Sequence, residues 1–326
     1  MLIKDKLSCA CSVLRCRVFK QRIPIAVRWQ LTNRCTLNCV YCNIWNTRAQ
    51  ELSYEEVVKV IDELAQIGTK RISFSGGEPL LREDIAEIIA YCRNKNIYPE
   101  MNSNGTLIPD NIDVIRGLDF LKLSLDGPED AHDLLRGKGS YRKVINAADA
   151  CESEKIKFGF ACTLTKHNIH NLDFMLELAD KYQTIVAFQP IKKIYRGVED
   201  ISGLVPDIKD FKQAITKLIK SKKKFKNIRN SLMGLHHIYN WPRYKKLKCW
   251  AGRIFCIIDA NGDVYPCDRI TYKTDLPNCK KMSMKEAMNL LPDIRCPGCG
   301  FCGALELNYL MSFRVKVLQS IQKILS

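Results

Sequence analysis

No run of eighteen apolar residues occurs anywhere in this 326-residue chain, so nothing in it reads as an ordinary transmembrane helix. Met1 to Lys20 lacks the unbroken apolar core and small-residue cleavage site of a secretory signal. The expected location is therefore the cytoplasm. Acid is scarce: 35 Asp and Glu face 51 Lys and Arg, a formal net charge of +16. Such an excess suits nucleic acid, anionic lipid, an acidic redox partner or an anionic substrate, and it selects none of them; nothing points to specific nucleic-acid binding. No internal repeat is present. The apolar content, 46%, is that of a globular protein and excludes a disordered chain.

Cysteine is abundant, at sixteen residues. In a small secreted chain that would mean disulfides, but here the cysteines are bunched at metal-like spacings in a large chain without a secretion signal. Reduced thiols are the reading. Three lie in Asn33-Arg-Cys35-Thr-Leu-Asn-Cys39-Val-Tyr41-Cys42, and seven lie beyond residue 248: Cys249, Cys256, Cys267, Cys279, Cys296, Cys299 and Cys302. Cys92, Cys151 and Cys162 sit singly in helix-like or strand-like patterns and read as packed apolar side chains. Cys9, Cys11 and Cys16 lack a partner set.

From residue 25 to about 190 short apolar runs alternate with amphipathic helical stretches. Strand candidates are 26–31, 71–75, 98–102, 120–125, 157–164 and 184–189, with helices between them such as 53–67, opened by the capping box Ser53-x-x-Glu56, and 84–94. Six strand-then-helix units imply parallel strands and an α/β fold, a partial (β/α)6 TIM-like barrel. Loops after the strands then gather at one end and carry the chemistry. The lysine-rich run Lys217 to Arg229 reads as a solvated helix end and linker. From Cys249 the texture changes to close cysteines, glycines and short strands, which predicts a small C-terminal cysteine-rich domain. The expected division is 1–24, a basic amphipathic helix; 25–230, the barrel; 231–305, the cysteine-rich domain; and 306–326, a second basic amphipathic helix. Both end helices either pack on the barrel or touch an anionic membrane surface or a partner.

Three thiolates on one short loop suit an iron–sulfur cubane and leave its fourth corner open to a small molecule. The pattern Cys-x3-Cys-x-Tyr-Cys resembles the radical S-adenosylmethionine (SAM) enzymes, and a zinc knuckle is the bland alternative. The resemblance implies a [4Fe–4S] cluster on Cys35, Cys39 and Cys42 that binds S-adenosylmethionine and reductively cleaves it to a 5′-deoxyadenosyl radical, with Tyr41 against the adenine. Ser75-Gly76-Gly77-Glu78-Pro79, after the second strand, resembles the motif that receives the cofactor's amino group. Asn102-Ser103-Asn104-Gly105 and Ser124-Leu-Asp-Gly127, followed by Asp130-Ala-His132-Asp-Leu-Leu-Arg136, resemble strand-end segments of the same enzymes. They imply Ser103, Asn104 and Ser124 near the ribose or methionine portion, Arg136 on the cofactor carboxylate, and Gln189 or Pro190 beside the adenine.

Cys249-x12-Gly262-x4-Cys267, with Asn261-Gly262 as a hairpin turn, and Cys296-Pro-Gly-Cys299-Gly-Phe-Cys302 resemble the SPASM/Twitch auxiliary-cluster domains. That resemblance implies at least one auxiliary [4Fe–4S] cluster on Cys249, Cys267 and two among Cys296, Cys299 and Cys302. Cys256 and Cys279 are extras that a second cluster would recruit, and tetrahedral zinc fits the same residues. The expected protein is a radical SAM oxidoreductase of maturase type, abstracting hydrogen from a peptide or small metabolite, less readily a lipid-linked molecule. A flavodoxin or ferredoxin would donate the electron. Only about two dozen residues precede the first strand, too few for a built-in leader-binding domain. Rival readings are a molybdenum-cofactor-type cyclase and a non-catalytic iron–sulfur carrier or zinc-stapled scaffold; the carrier explains the cysteines but not Glu78, Ser124 and Arg136.

Overall fold

Period-two alternation within the strands builds the architecture. In a computed structural model, which describes residues 12–191, 200–267, 275–294 and 298–312, six parallel strands follow in chain order: β1 (Ala26–Thr32), β2 (Arg71–Gly76), β3 (Tyr98–Ser103), β4 (Phe120–Ser124), β5 (Phe158–Leu164) and β6 (Ile185–Pro190). Register aligns Trp29, Phe74, Met101, Leu121 and Phe158 in one row across five strands. That row faces outward. The helices Tyr54–Ile67, Ile85–Asn94, Ser140–Ser153 and Leu172–Lys181 lay Val57, Ile61, Leu64, Ile88, Val144 and Leu176 into the same core. Each fully buried Leu, Ile or Phe there stabilises the fold by about 2–3 kcal/mol. The first helix starts where its capping box stands: the Ser53 hydroxyl accepts from Glu56 N, and the Glu56 carboxylate accepts from Ser53 N.

The sheet does not stop at six strands. β7 (Phe255–Ile258) pairs parallel with β1, and β8 (Val264–Tyr265) returns antiparallel on β7 through a turn containing Gly262 at φ +89°. The cysteine-rich segment is thus continuous with the barrel sheet. Backbone hydrogen bonding gives the reason, since β1 would otherwise present an unpaired edge beside a buried core. At the opposite edge, residues 227–230 run along β6. The segment leading into the helix Cys302–Met311 joins the two sides: the Arg28 guanidinium of β1 lies 5.9 Å from the Phe301 ring, and the Cys302 thiol donates to the Phe188 carbonyl of β6 at 2.6 Å.

At the amino end, residues 12–18 are helical; Val13 and Cys16 are buried, whereas Leu14, Val18 and Phe19 are exposed. Helix face and core contact therefore agree only for part of the apolar set expected there. Cys9, Cys11 and residues 313–326 lie outside the described residues. No helix of the described residues is long and apolar enough to cross a membrane.

The inner face of the sheet is polar. Glu100 receives Arg71 Nε at 3.1 Å and Lys122 Nζ at 2.5 Å, Lys122 also reaches Ser73, and Asn102 donates to Ser73. Burial pushes the Glu100 carboxyl up, but Lys122, Arg71 and Arg229 outweigh it and hold it at about 2. Burial also pulls the Lys122 ammonium down despite its partner, so the pair contributes less than the carboxylate alone suggests. Replacing Lys122→Met leaves Glu100 short of a cation and is expected to lower unfolding free energy by about 3 kcal/mol in urea titrations at pH 7. In the unaltered protein, Glu100's contribution is complete above its ordinary value of 4.5 and is lost as pH falls toward 2. An unchanged urea midpoint in the variant would remove the network from the fold's supports.

Candidate active site and metal centres

A bulge at the end of β1, between Gln30 and Thr32, releases the chain into the loop that carries Cys35, Cys39 and Cys42. All three are free thiols and partly accessible. Burial pushes the Cys39 thiol up to about 11; the Arg136 guanidinium pulls it back, and Cys42 and Cys35 add to the rise. A cation shared by the three sulfurs of this short loop would relieve the repulsion at Cys39. Asn104 Nδ2 lies 3.7 Å from Cys35 Sγ and 3.0 Å from the Thr36 hydroxyl.

The glycine pair after β2 lies directly under this loop. Gly77 N donates to Thr32 O and Glu78 N to Arg34 O, each at 2.8 Å. A Cβ on Gly76 would stand 2.1 Å from Thr32 O, and one on Gly77 2.0 Å from Arg34 O. Only glycine permits that approach. Glu78 is fully buried, and its carboxylate turns toward β3: Ser103 Oγ donates to it at 3.0 Å, Asn104 N at 2.9 Å and Leu80 N at 3.4 Å. Burial raises its carboxyl to about 7 against those donors. Ser103 and Asn104 thus meet Glu78 and the cysteine loop in one cluster.

A second cluster forms around Asp126, two residues beyond β4. Its Oδ2 accepts from the Tyr41 hydroxyl and from Arg136 Nε, both at 2.6 Å, and its Oδ1 accepts from Thr163 N at 2.8 Å. The Asp126 carbonyl accepts from Asn168 Nδ2 at 2.7 Å, and its N–H donates to His132 Nδ1 at 3.1 Å. Arg136 also lies 5.5 Å from the Tyr41 ring centre. Tyr41 and Arg136, expected to meet a cofactor singly, are therefore tied to each other through a carboxylate the sequence reading passed over. Burial and Arg136 hold His132 down at about 4 against Asp126 and Asp133, and its buried Nε2 has no hydrogen-bond partner among the described residues. The available signal was His132 and Arg136 one helical turn apart on the helix Glu129–Arg136, facing an acid at a strand end. Ser124, paired with Ala161 in the sheet, is not brought into either cluster. Gln189 Nε2 donates to the Thr163 hydroxyl at 3.3 Å, and Pro190 lies beside Gly300.

The C-terminal cysteines are spread over several elements. Cys249 Sγ lies 4.0 Å from Asn308 Nδ2, and Cys267 is buried just past β8. Cys299 N donates to His237 Nε2 at 3.4 Å, with His237 stacked on Tyr244. Cys302 opens the helix Cys302–Met311 and receives Asn230 Nδ2 at 3.2 Å. Cys296 lies outside the described residues. Cys256, on β7, and Cys279 are both buried. Among the described residues, no three His, Cys, Asp or Glu side chains converge as a single metal ion needs. A cubane spreads its thiolates over four irons and does not require that convergence.

Compared with known proteins, residues 29–179 match the model of the radical SAM superfamily and residues 249–291 that of an iron-sulfur cluster-binding domain, SPASM. The Fe-coproporphyrin III synthase of Methanosarcina barkeri is 36% identical over 171 residues, 50% of this chain and 42% of that one. The mycofactocin maturase MftC of Mycolicibacterium smegmatis is 27% identical over 252 residues, 75% of this chain and 64% of that one. The chain thus spans less than two thirds of either relative. Among solved structures, anSMEcpe with bound AdoMet and the Cp18Cys peptide superposes with a TM-score of 0.65 at 22% identity, over 80% of this chain and 79% of that one.

The contact between the glycine pair and the cysteine loop is open to a direct test. Gly77→Ala drives a methyl group into the rigid Arg34 carbonyl and is expected to cut iron bound after anaerobic reconstitution by about half or more, with a lower thermal midpoint. Wild-type iron content and midpoint in this variant would show that the two loops do not depend on each other.

Proposed function

We propose that this chain, a member of the radical SAM superfamily with a SPASM iron–sulfur domain behind its barrel, abstracts hydrogen from a substrate held within the barrel mouth. Its cofactors are S-adenosylmethionine, the [4Fe–4S] cluster that binds it, and auxiliary iron–sulfur clusters. One observation carries the reading: the three-thiol loop and the Gly76-Gly77-Glu78 loop are locked together at the carboxyl ends of adjacent parallel strands. The donor set fits the group, since three free, partly accessible thiols share one loop. Cys35, Cys39 and Cys42 hold the SAM-binding cluster in this reading. The chemistry the pair supplies when bound is one-electron cleavage of the sulfonium followed by hydrogen-atom abstraction.

The chain's own residues bind and orient. With the Glu78 carboxylate turned toward Ser103 and Asn104, backbone carbonyls of the glycine pair are left to accept an amino group, while Glu78 keeps the β2 and β3 loops in register. Arg136, held charged against burial by Asp126, puts a guanidinium beside Tyr41, where it suits a carboxylate. Tyr41, anchored by its hydroxyl, offers a ring edge to the adenine. Ser124 remains a contact for the ribose or methionine portion. Cys249, Cys267 and two of Cys296, Cys299 and Cys302 hold an auxiliary cluster.

Inner-face residues Ser73, Asn102, Lys122, Ser124, Ala161, Thr163, Ala187 and Gln189 are partly accessible, whereas their outward neighbours are almost fully buried. The inner face therefore borders open space, with the small Ala161 and Ala187 on the β5–β6 wall. A peptide side chain is the substrate class we favour: the maturase resemblance extends over three quarters of the chain, and the anSMEcpe structure of the same fold is described with a peptide. A flavodoxin or ferredoxin supplies the electron, and the excess of basic residues favours such acidic proteins.

Reconstituted protein with dithionite and S-adenosylmethionine is expected to release 5′-deoxyadenosine. Cys39→Ala is expected to lower that release at least a hundredfold and to remove about four irons per chain, the content of one cubane. A wild-type protein that carries iron yet forms no 5′-deoxyadenosine would overturn the reading in favour of an electron carrier.

A further inference from the structure

Two asparagines behind the C-terminal cysteines are almost wholly buried, Asn308 at 1% exposure and Asn230 at 3%. A buried amide is expected to satisfy both of its ends. In each case a backbone N–H fixes the oxygen: Trp250 N donates to Asn308 Oδ1 at 2.9 Å, and Phe188 N donates to Asn230 Oδ1 at 2.8 Å. Anchoring the oxygen decides which way the NH2 group points. Asn308 Nδ2 is aimed at Cys249 Sγ, 4.0 Å away, and Asn230 Nδ2 at Cys302 Sγ, 3.2 Å away, while also donating to Phe188 O at 2.8 Å.

We infer that Asn308 and Asn230 tune the auxiliary iron–sulfur centre, each donating an N–H to a ligand sulfur, Cys249 and Cys302 respectively. The inference rests on the reading that these two cysteines bind that centre. A buried thiolate is unfavourable unless something offsets its charge, and an amide N–H aimed at the sulfur does so. The thiol proton that Cys302 gives to the Phe188 carbonyl is the part that leaves on metal binding; the amide donor stays. Cys256 and Cys279, more deeply buried than Cys249 and Cys302, have no side-chain amide on their sulfur among the described residues. Hydrogen bonds to cluster sulfurs stabilise the more electron-rich state and so raise the reduction potential.

Asn308→Asp and Asn230→Asp keep the oxygen that accepts from Trp250 or Phe188 and remove the N–H at sulfur. In the reconstituted full-length protein, potentiometric titration followed by electron paramagnetic resonance is expected to place the auxiliary centre at a more negative potential in each variant, with the cluster on Cys35, Cys39 and Cys42 unmoved. Should either variant fail to fold, wild-type protein labelled with 15N-asparagine reports the same contact as nitrogen hyperfine coupling on the reduced auxiliary centre. An unshifted potential in folded variants, or no asparagine coupling in the wild type, overturns the inference. Cys249→Ala and Cys302→Ala distinguish the underlying reading: if neither lowers iron content nor alters the auxiliary signal, the ligand assignment fails and the inference with it. If both do so while the aspartate variants leave the potential in place, the tuning role alone falls.

Discussion

One buried carboxylate, Asp126, holds the candidate site together. It reaches Tyr41 in the cysteine loop, Arg136 on the following helix and the Thr163 amide of β5, while its own backbone binds His132 and Asn168. An unpaired ion at that depth would destabilise the fold by about 3–5 kcal/mol, so the acid and the guanidinium require each other. That mutual requirement fixes Tyr41, and with it the position of a loop that carries three cysteines. Glu78 acts in the same way on the other side, joining the glycine loop to Ser103 and Asn104. Two fully buried acids thus set the loop geometry at the strand ends before any cofactor binds.

Enclosure is the second requirement. Six parallel strands leave a gap between β6 and β1, and the C-terminal segment bridges it: β7 extends the sheet beyond β1, while Phe301 meets Arg28 and Cys302 meets Phe188. The cysteine-rich region is therefore part of the barrel wall as well as a metal site. Its placement brings Cys302 to the carboxyl end of β6, next to the polar inner face.

Much of the barrel was legible because parallel strands covered by helices demand an outward apolar row and the period-two pattern that goes with it. Trp29, Phe74 and Leu121 announce strands whose ends lie within a residue or two of the expected positions. The capping box at Ser53 and the turn at Gly262 are local chemistry and were equally readable. The joining of β7 to β1 was not, because a short apolar run such as Phe255–Ile258 does not say which edge it will pair with. Asp126 was overlooked for a related reason. An acid in a Leu-Asp-Gly turn looks like an ordinary turn residue until its five partners, Tyr41, His132, Arg136, Thr163 and Asn168, are seen around it.

Spacing along the chain determined the three-thiol loop, the glycine pair and the order of βα units, since ligands on one short loop and residues in one turn are neighbours by covalent connection alone. Tertiary structure decided everything that joins distant segments: Glu78 facing Ser103 and Asn104, Arg136 bound to Asp126, Asn308 aimed at Cys249 and Asn230 at Cys302. Those contacts depend on where a low-dielectric interior leaves a polar atom without water. Only the folded chain, by excluding solvent, creates the need that pairs them.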